Sequence, residues 1–145
     1  MTTTTSPSTL LRNDRRLVSN LSPIGFGTVV KAWRGSKGLD YIIVGINTQA
    51  KEIYTIKHNC INQDGSVHAS VNRHRRVFKY TETPSGVFGI VRGLTTVLGQ
   101  KETIDFNAVQ RLNRSVAADI NIDDFSNISL YTQPLVDRRK NSVYK

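Results

Sequence analysis

Between residues 53 and 98 apolar and polar positions alternate with a period of two, the spacing of strands rather than helices. Asp64-Gly65 suits a tight hairpin turn, because glycine takes the positive φ that matches the twist of paired strands. With Gln63 opposite Ser66, Asn59 faces Ser70, Lys57 faces Asn72, Thr55 faces His74 and Ile53 faces Arg76, giving one polar, cationic row. The alternate row sets Tyr54, Ile56, His58 and Cys60 opposite Val67, Ala69, Val71 and Val77, interrupted by Arg73 and Arg75, and needs a core. A second turn at Thr83-Pro84-Ser85-Gly86 returns the chain over 87–98, whose bulky set Phe88, Ile90, Leu94 and Leu98 joins the core row. Gly93 and Thr95 then lie beside Arg76 and His74 and keep the polar face flat, as an extended ligand needs. A slip of one residue would exchange the two faces.

Upstream, 15–21 and 24–34 form a hairpin around Ser22-Pro23, with Arg15, Arg16, Lys31 and Arg34 at polar positions. The β-branched run 41–46 is a strand covered on at least one face. Strands near 24–34, 41–47, 53–61, 66–81 and 87–98 make an antiparallel meander. After Gly99 the period becomes 3.6: Phe106, Val109, Leu112, Val116 and Ile120 mark an amphipathic helix started by Thr103 or Asp105. A second, short helix begins at Asp123 or Asp124, carries Phe125 and Ile128, and ends before Pro134. The expected class is α+β: an N-terminal β-hairpin, an antiparallel sheet of about five strands, and two C-terminal helices packed on one sheet face. Residues 1–9 read as a flexible Thr/Ser-rich arm, 10–135 as a single domain and 136–145 as a basic tail.

A hydrophobic content of 38% over 145 residues is low for a self-sufficient core, so oligomerisation would help. The net charge of +9 calls for a polyanion, RNA or DNA being the usual one. The single Cys60 excludes an intramolecular disulfide and reads as a small buried apolar residue. With no apolar stretch long enough to span a membrane and no secretory signal, the expectation is a soluble, intracellular protein.

Catalysis is not expected, and neither is a metal, a cofactor or a small-molecule substrate. His68 and His74 lie six residues apart on one strand, roughly 20 Å at strand rise, too far to share a metal. Gly25-Phe26-Gly27 lacks the third glycine and following helix of a dinucleotide site. Asp105, Asp123 and Asp124 fall at helix starts, where the macrodipole explains them. The sharpest cluster is Arg73-His74-Arg75-Arg76. It is a solvated strand, a nuclear-targeting run, or a nucleic-acid face on which Arg76 and His74 take phosphates or stack on bases, Thr55, Asn59 and Asn72 offer short hydrogen-bonding groups, and Lys57 adds charge.

In the order of these elements, and in RHRRVFKYTET, VFGIVRGLTTVLGQ and NIDDFSNISLYTQPL, the chain resembles the coat proteins of single-stranded RNA bacteriophages, the levivirus-like family. The resemblance implies two C-terminal helices that interlock in a homodimer with one continuous sheet, and dimers that build an icosahedral shell around genomic RNA. It also implies binding of an RNA stem-loop as translational repressor, and a location in the virion, assembled in the cytoplasm of a bacterial host. Carried over by strand position, Thr55, Lys57, Asn59, Asn72, His74, Arg76 and Thr95 would face RNA. Phe106, Val109, Leu112, Val116, Phe125 and Ile128 would form the dimer and core helix surface, with Asn113 either bonding across the dimer or at an exposed edge. The Thr-rich arm and the basic tail go beyond the family pattern. The alternative without a shell is a cellular RNA-binding module of the ribosome-associated type; a small enzyme ranks third.

Overall fold

A computed structural model describes residues 22–34, 36–84 and 88–132, without the side chains of Arg34 and Asn72. The arm at 1–9, the proposed strand at 15–21 and the tail at 136–145 lie outside these residues, as does part of the turn after Thr83.

Among the described residues the chain forms eight strands and one α-helix. The strands are β1 (Pro23–Ile24), β2 (Thr28–Arg34), β3 (Lys37–Asn47), β4 (Glu52–Lys57), β5 (Arg75–Glu82), β6 (Phe88–Val91), β7 (Leu94–Gln100) and β8 (Ser129–Thr132); the helix is α1 (Phe106–Val116). They make one sheet in the order β1-β8-β6-β5-β4-β3-β2-β7, antiparallel except for β6 beside β8. The sheet curls into a nearly closed barrel, and β7 and β8 touch across the remaining gap. The expected five-stranded sheet with two helices on one face is therefore replaced by a barrel-like sheet with one helix outside it.

Closure changes what each face of a strand meets. The observed pairing sets Ile53 opposite Phe78 and Thr55 opposite Arg76. This lies two residues from the expected register, so the residues of β4 and β5 keep their expected faces, whereas Leu94, expected on the row of Tyr54 and Ile56, turns to the face of Ile53 after Gly93. That face does not meet solvent: all eight strands contribute to an interior cluster that includes Ile24, Val30, Ile43, Ile53, Val91, Leu94 and Leu130. The opposite face carries a second cluster, in which Val29, Ile42 and Ile56 meet Cys60 and Val71 from the β4–β5 connection and Val109 from α1. Tyr41–Asn47 is buried at every residue because β3 lies between the two cores.

Two long strands expected from the alternation are interrupted. The turn at Asp64-Gly65 exists, with Gly65 at φ +92° and Asn62 N–H donating to Ser66 O at 2.8 Å. Around it the chain forms short 3-10 turns at His58–Cys60 and Ala69–Arg73 rather than continuous strand. His68 Nδ1 accepts from Ser70 N–H at 3.1 Å, a local bond that competes with the sheet ladder. Gly93, at φ +95°, then breaks the expected 87–98 strand, and β7 leaves β5 and β6 to pair with β2 on the far side of the barrel.

Helix α1 begins where Asp105 Oδ1 accepts from Ala108 N–H at 3.1 Å. Its buried stripe is Val109 and Asn113 with half-buried Leu112, whereas Phe106 and Val116 are 45% and 38% exposed. Asn113 does not sit at an exposed edge: it is buried, and its Nδ2 donates to Val44 O of its own chain at 3.0 Å. Val44 falls at a register break between β3 and β4. Its carbonyl is thus satisfied by a side chain rather than a ladder bond.

The second expected helix is a 3-10 turn, Asp123–Asn127, followed by strand β8. Asn121 accepts from Asp124 N–H at 2.8 Å to start it. Phe125 packs against both clusters, Ile128 against the interior one, and the alternation Ile128-Ser129-Leu130-Tyr131 then suits a strand. Since α1 is covered by its own chain, interlocking with a partner's helices is not needed to bury it. No helix among the described residues is long and apolar enough to cross a membrane.

Candidate nucleic-acid interface

The outward positions of β2 and β3 carry the exposed chemistry. Cross-strand pairing sets Lys31 against Asp40 and Trp33 against Gly38. Lacking a Cβ, Gly38 lets the Trp33 ring and the Lys31 stem lie close over β3; an added Cβ would stand 3.2 Å from Lys31 Cδ and 3.3 Å from the ring. Trp33 stays 40% exposed and its Nε1–H donates to Thr95 Oγ1 at 3.2 Å. The Thr95 hydroxyl in turn donates to Lys31 O at 3.3 Å. Lys57, His58 and Asn59, where β4 runs into a 3-10 turn, form the facing wall of an open cleft of about 410 Å³. Lys31, Gly38, Leu39 and Asp40 complete its lining.

Charge is distributed unevenly along β4 and β5. At one end the lysines are neutralised: Lys51 Nζ lies 2.9 Å from Glu82 and Lys79 Nζ 3.3 Å from Glu52. At the cleft end Lys57, Arg73 and Arg75 form no ion pair among the described residues, and between Lys57 and Lys79 the only acid is Asp64. Lys31 and Asp40 are 3.6 Å apart, a long contact between half-exposed side chains.

The seven residues expected to face RNA are divided by the fold. Lys57 and Asn59 line the cleft, and Thr95 supports it through Trp33. His74 stands behind, its carbonyl accepting from Lys57 N–H at 3.0 Å. Thr55 is fully buried, its hydroxyl donating to Arg76 O at 2.9 Å. The Asn72 side chain lies outside the described residues. Arg76 turns into the barrel: its guanidinium carbon lies 4.7 Å from the Phe78 ring centre and 5.7 Å from that of Tyr41, and Nη2–H donates to Trp33 O at 3.3 Å. Its Nη1 is buried without a hydrogen-bond partner among the described residues. Arg76 therefore packs behind the cleft rather than presenting charge to a ligand.

Replacing Arg76 with Met keeps the stem over the two rings while removing a half-buried, half-satisfied cation. The variant is expected to stay within about 1–2 kcal/mol of the parent in urea denaturation, the range of the lost hydrogen bond and cation–π contact. In a test of nucleic-acid binding, the salt dependence should match the parent's. A large fall in salt slope would place Arg76 on phosphate.

Trp33, Asp40 and His58 were missed as site residues, and Lys31 registered only as a polar position. The available signal was Lys31 and Trp33 at a period of two with Gly38 and Asp40 after the turn, which aligns the four on one face once the hairpin is drawn. The Cys60 thiol is pushed up by burial, against the nearby Lys57 charge, so it stays protonated. Among the described residues no group of three or more His, Cys, Asp or Glu side chains is placed to hold a metal ion.

Comparison of the chain with protein-family models, with curated proteins and with solved structures finds no match in any of the three.

Proposed function

We propose that the protein is a noncatalytic RNA-binding structural protein, the coat subunit of a self-assembling shell that packages single-stranded RNA. The observation that carries RNA binding is the cleft, where Lys57, without a carboxylate partner among the described residues, and Lys31, in only a long 3.6 Å contact with Asp40, stand near an exposed tryptophan. Phosphates favour the lysines and unpaired bases the tryptophan. Support for self-association comes from apolar side chains left on the outside: Val77, Leu98, Phe106 and Val116 are each more than a third exposed. The sequence resemblance to RNA-phage coat proteins points the same way and extends the proposal to stem-loop binding, repression and a virion location. Copies would meet through these outer surfaces, not through interlocked helices.

A second reading, an RNA-binding module that forms no shell, is favoured by the complete burial of Val109 within its own chain. Expression in a bacterium, purification without nuclease, negative-stain microscopy and the ultraviolet absorbance ratio separate the two. Uniform spherical particles containing nucleic acid are the expected result. Small monodisperse species at every salt and protein concentration would overturn the shell; RNA retained on them would favour the module, and its absence would overturn both.

A further inference from the structure

Resting on the RNA-binding reading above, we propose that the cleft is a pocket for one unpaired guanine of a single-stranded RNA, with Asp40 reading the base and Trp33 stacking on it. The starting point is a carboxylate that a simple phosphate site would exclude. Asp40 lines the cleft among Lys31, Lys57 and His58, where its charge repels phosphate. Its contact with Lys31, 3.6 Å, exceeds the roughly 2.7–2.9 Å of a charge-assisted hydrogen bond. The side chain is 48% exposed, so its oxygens are open to a ligand.

Among the four RNA bases, guanine alone presents two adjacent donors, N1–H and the 2-amino group, to match the two oxygens of a carboxylate. Adenine and cytosine each place a ring acceptor beside their amino group, which the carboxylate repels. Uracil offers one N–H between two carbonyls. The Asn59 amide, on the facing wall, supplies a donor for guanine O6, and Lys57 takes the adjoining phosphate.

Trp33 and Asp40 are diagonal neighbours on the outer face of the β2–β3 pair, a separation of roughly 7–8 Å that a stacked base can bridge. The ring is fixed by its bond to Thr95 and by its seat over Gly38, so Thr95 is a positioning residue. The cleft volume of about 410 Å³ falls within the roughly 300–1,000 Å³ of small-ligand sites.

The test uses the full-length protein, freed of RNA at high salt, and uridine octamers with one central guanosine, inosine or adenosine. Affinity is read from the anisotropy of an end label, and quenching is assigned to Trp33 because the chain has a single tryptophan. The guanosine octamer is expected to bind about tenfold or more tighter than the adenosine octamer, and inosine, which lacks the 2-amino group, to lose most of that advantage. Asp40→Asn should bind the adenosine octamer more tightly, through lost repulsion, take from the guanosine octamer its advantage, and no longer rank the octamers. Equal binding of all octamers, or a preference that survives Asp40→Asn, overturns the guanine site and leaves RNA binding standing. Failure of every octamer to bind at low salt overturns the RNA-binding reading and the guanine site with it.

Discussion

A Gly45→Ala variant is expected to lose about 1–3 kcal/mol of folding stability, the usual cost of forcing one extra carbon into a packed core. A Cβ at position 45 would stand 2.7 Å from Ile120 Cγ2 and 2.8 Å from Asn113 Oδ1. Neither neighbour can simply rotate away: Ile120 is fully buried, and Asn113 is held by its bond to Val44 O. Relief would require α1 to lift from β3, exposing Val109 and leaving a buried carbonyl unpaired. The fall should appear as a lower urea midpoint with an unchanged slope. Gly25→Ala is the control, since a Cβ there meets nothing within 4 Å; it should be neutral or slightly stabilising through the unfolded state. Equal behaviour of the two variants would mean that α1 does not pack against β3 as described.

That contact also marks the limit of what alternation alone conveys. The period of two from Ile53 onward put Thr55 and Arg76 on one face and Ile56 and Val71 on the other, and those assignments hold although the pairing moved by two residues. Alternation does not say where a face points. Thr55 and Arg76 read as a wet row because both are polar, yet Thr55 satisfies itself on a neighbouring carbonyl and Arg76 lies over Phe78 and Tyr41, so both fit inside a barrel. Nor does it show a strand changing neighbours, as β7 does after Gly93. Helix α1 was legible from Val109, Leu112 and the Asp105 cap, although Phe106 and Val116 of the expected stripe are exposed and Ile120 lies beyond the helix end, whereas Phe125 and Ile128, three residues apart, suit a helix and a 3-10 turn equally. The cleft was half legible: Lys57 and Asn59 stand in a charged, polar run, but Trp33 and Asp40 gain meaning only from the hairpin that aligns them.

Charge position, rather than charge total, should govern RNA affinity. A Lys31→Gln, Lys57→Gln double variant removes the two cleft lysines and is expected to reduce the slope of log K against log salt by about 1.4, on the basis of roughly 0.7 per phosphate contact to a single strand. If the electrostatic contribution vanishes near 1 M salt, the same slope implies roughly 25-fold weaker binding at about 0.1 M. A Lys51→Gln, Lys79→Gln double variant makes the same change in net charge at the other end of β4 and β5. Those lysines lie 2.9 and 3.3 Å from Glu82 and Glu52, whereas Lys31 is 3.6 Å from Asp40 and Lys57 has no carboxylate partner among the described residues, so removing Lys51 and Lys79 should move the slope less. Folding is not the difficulty for either pair, because all four side chains are at least partly exposed. Equal slopes from the two variants would show RNA bound by diffuse charge, and a larger effect at Lys51 and Lys79 would move the interface to the opposite end of the barrel. A loss confined to the first pair would tie phosphate binding to the cleft, where Trp33 and Asp40 are in reach of the base attached to that phosphate.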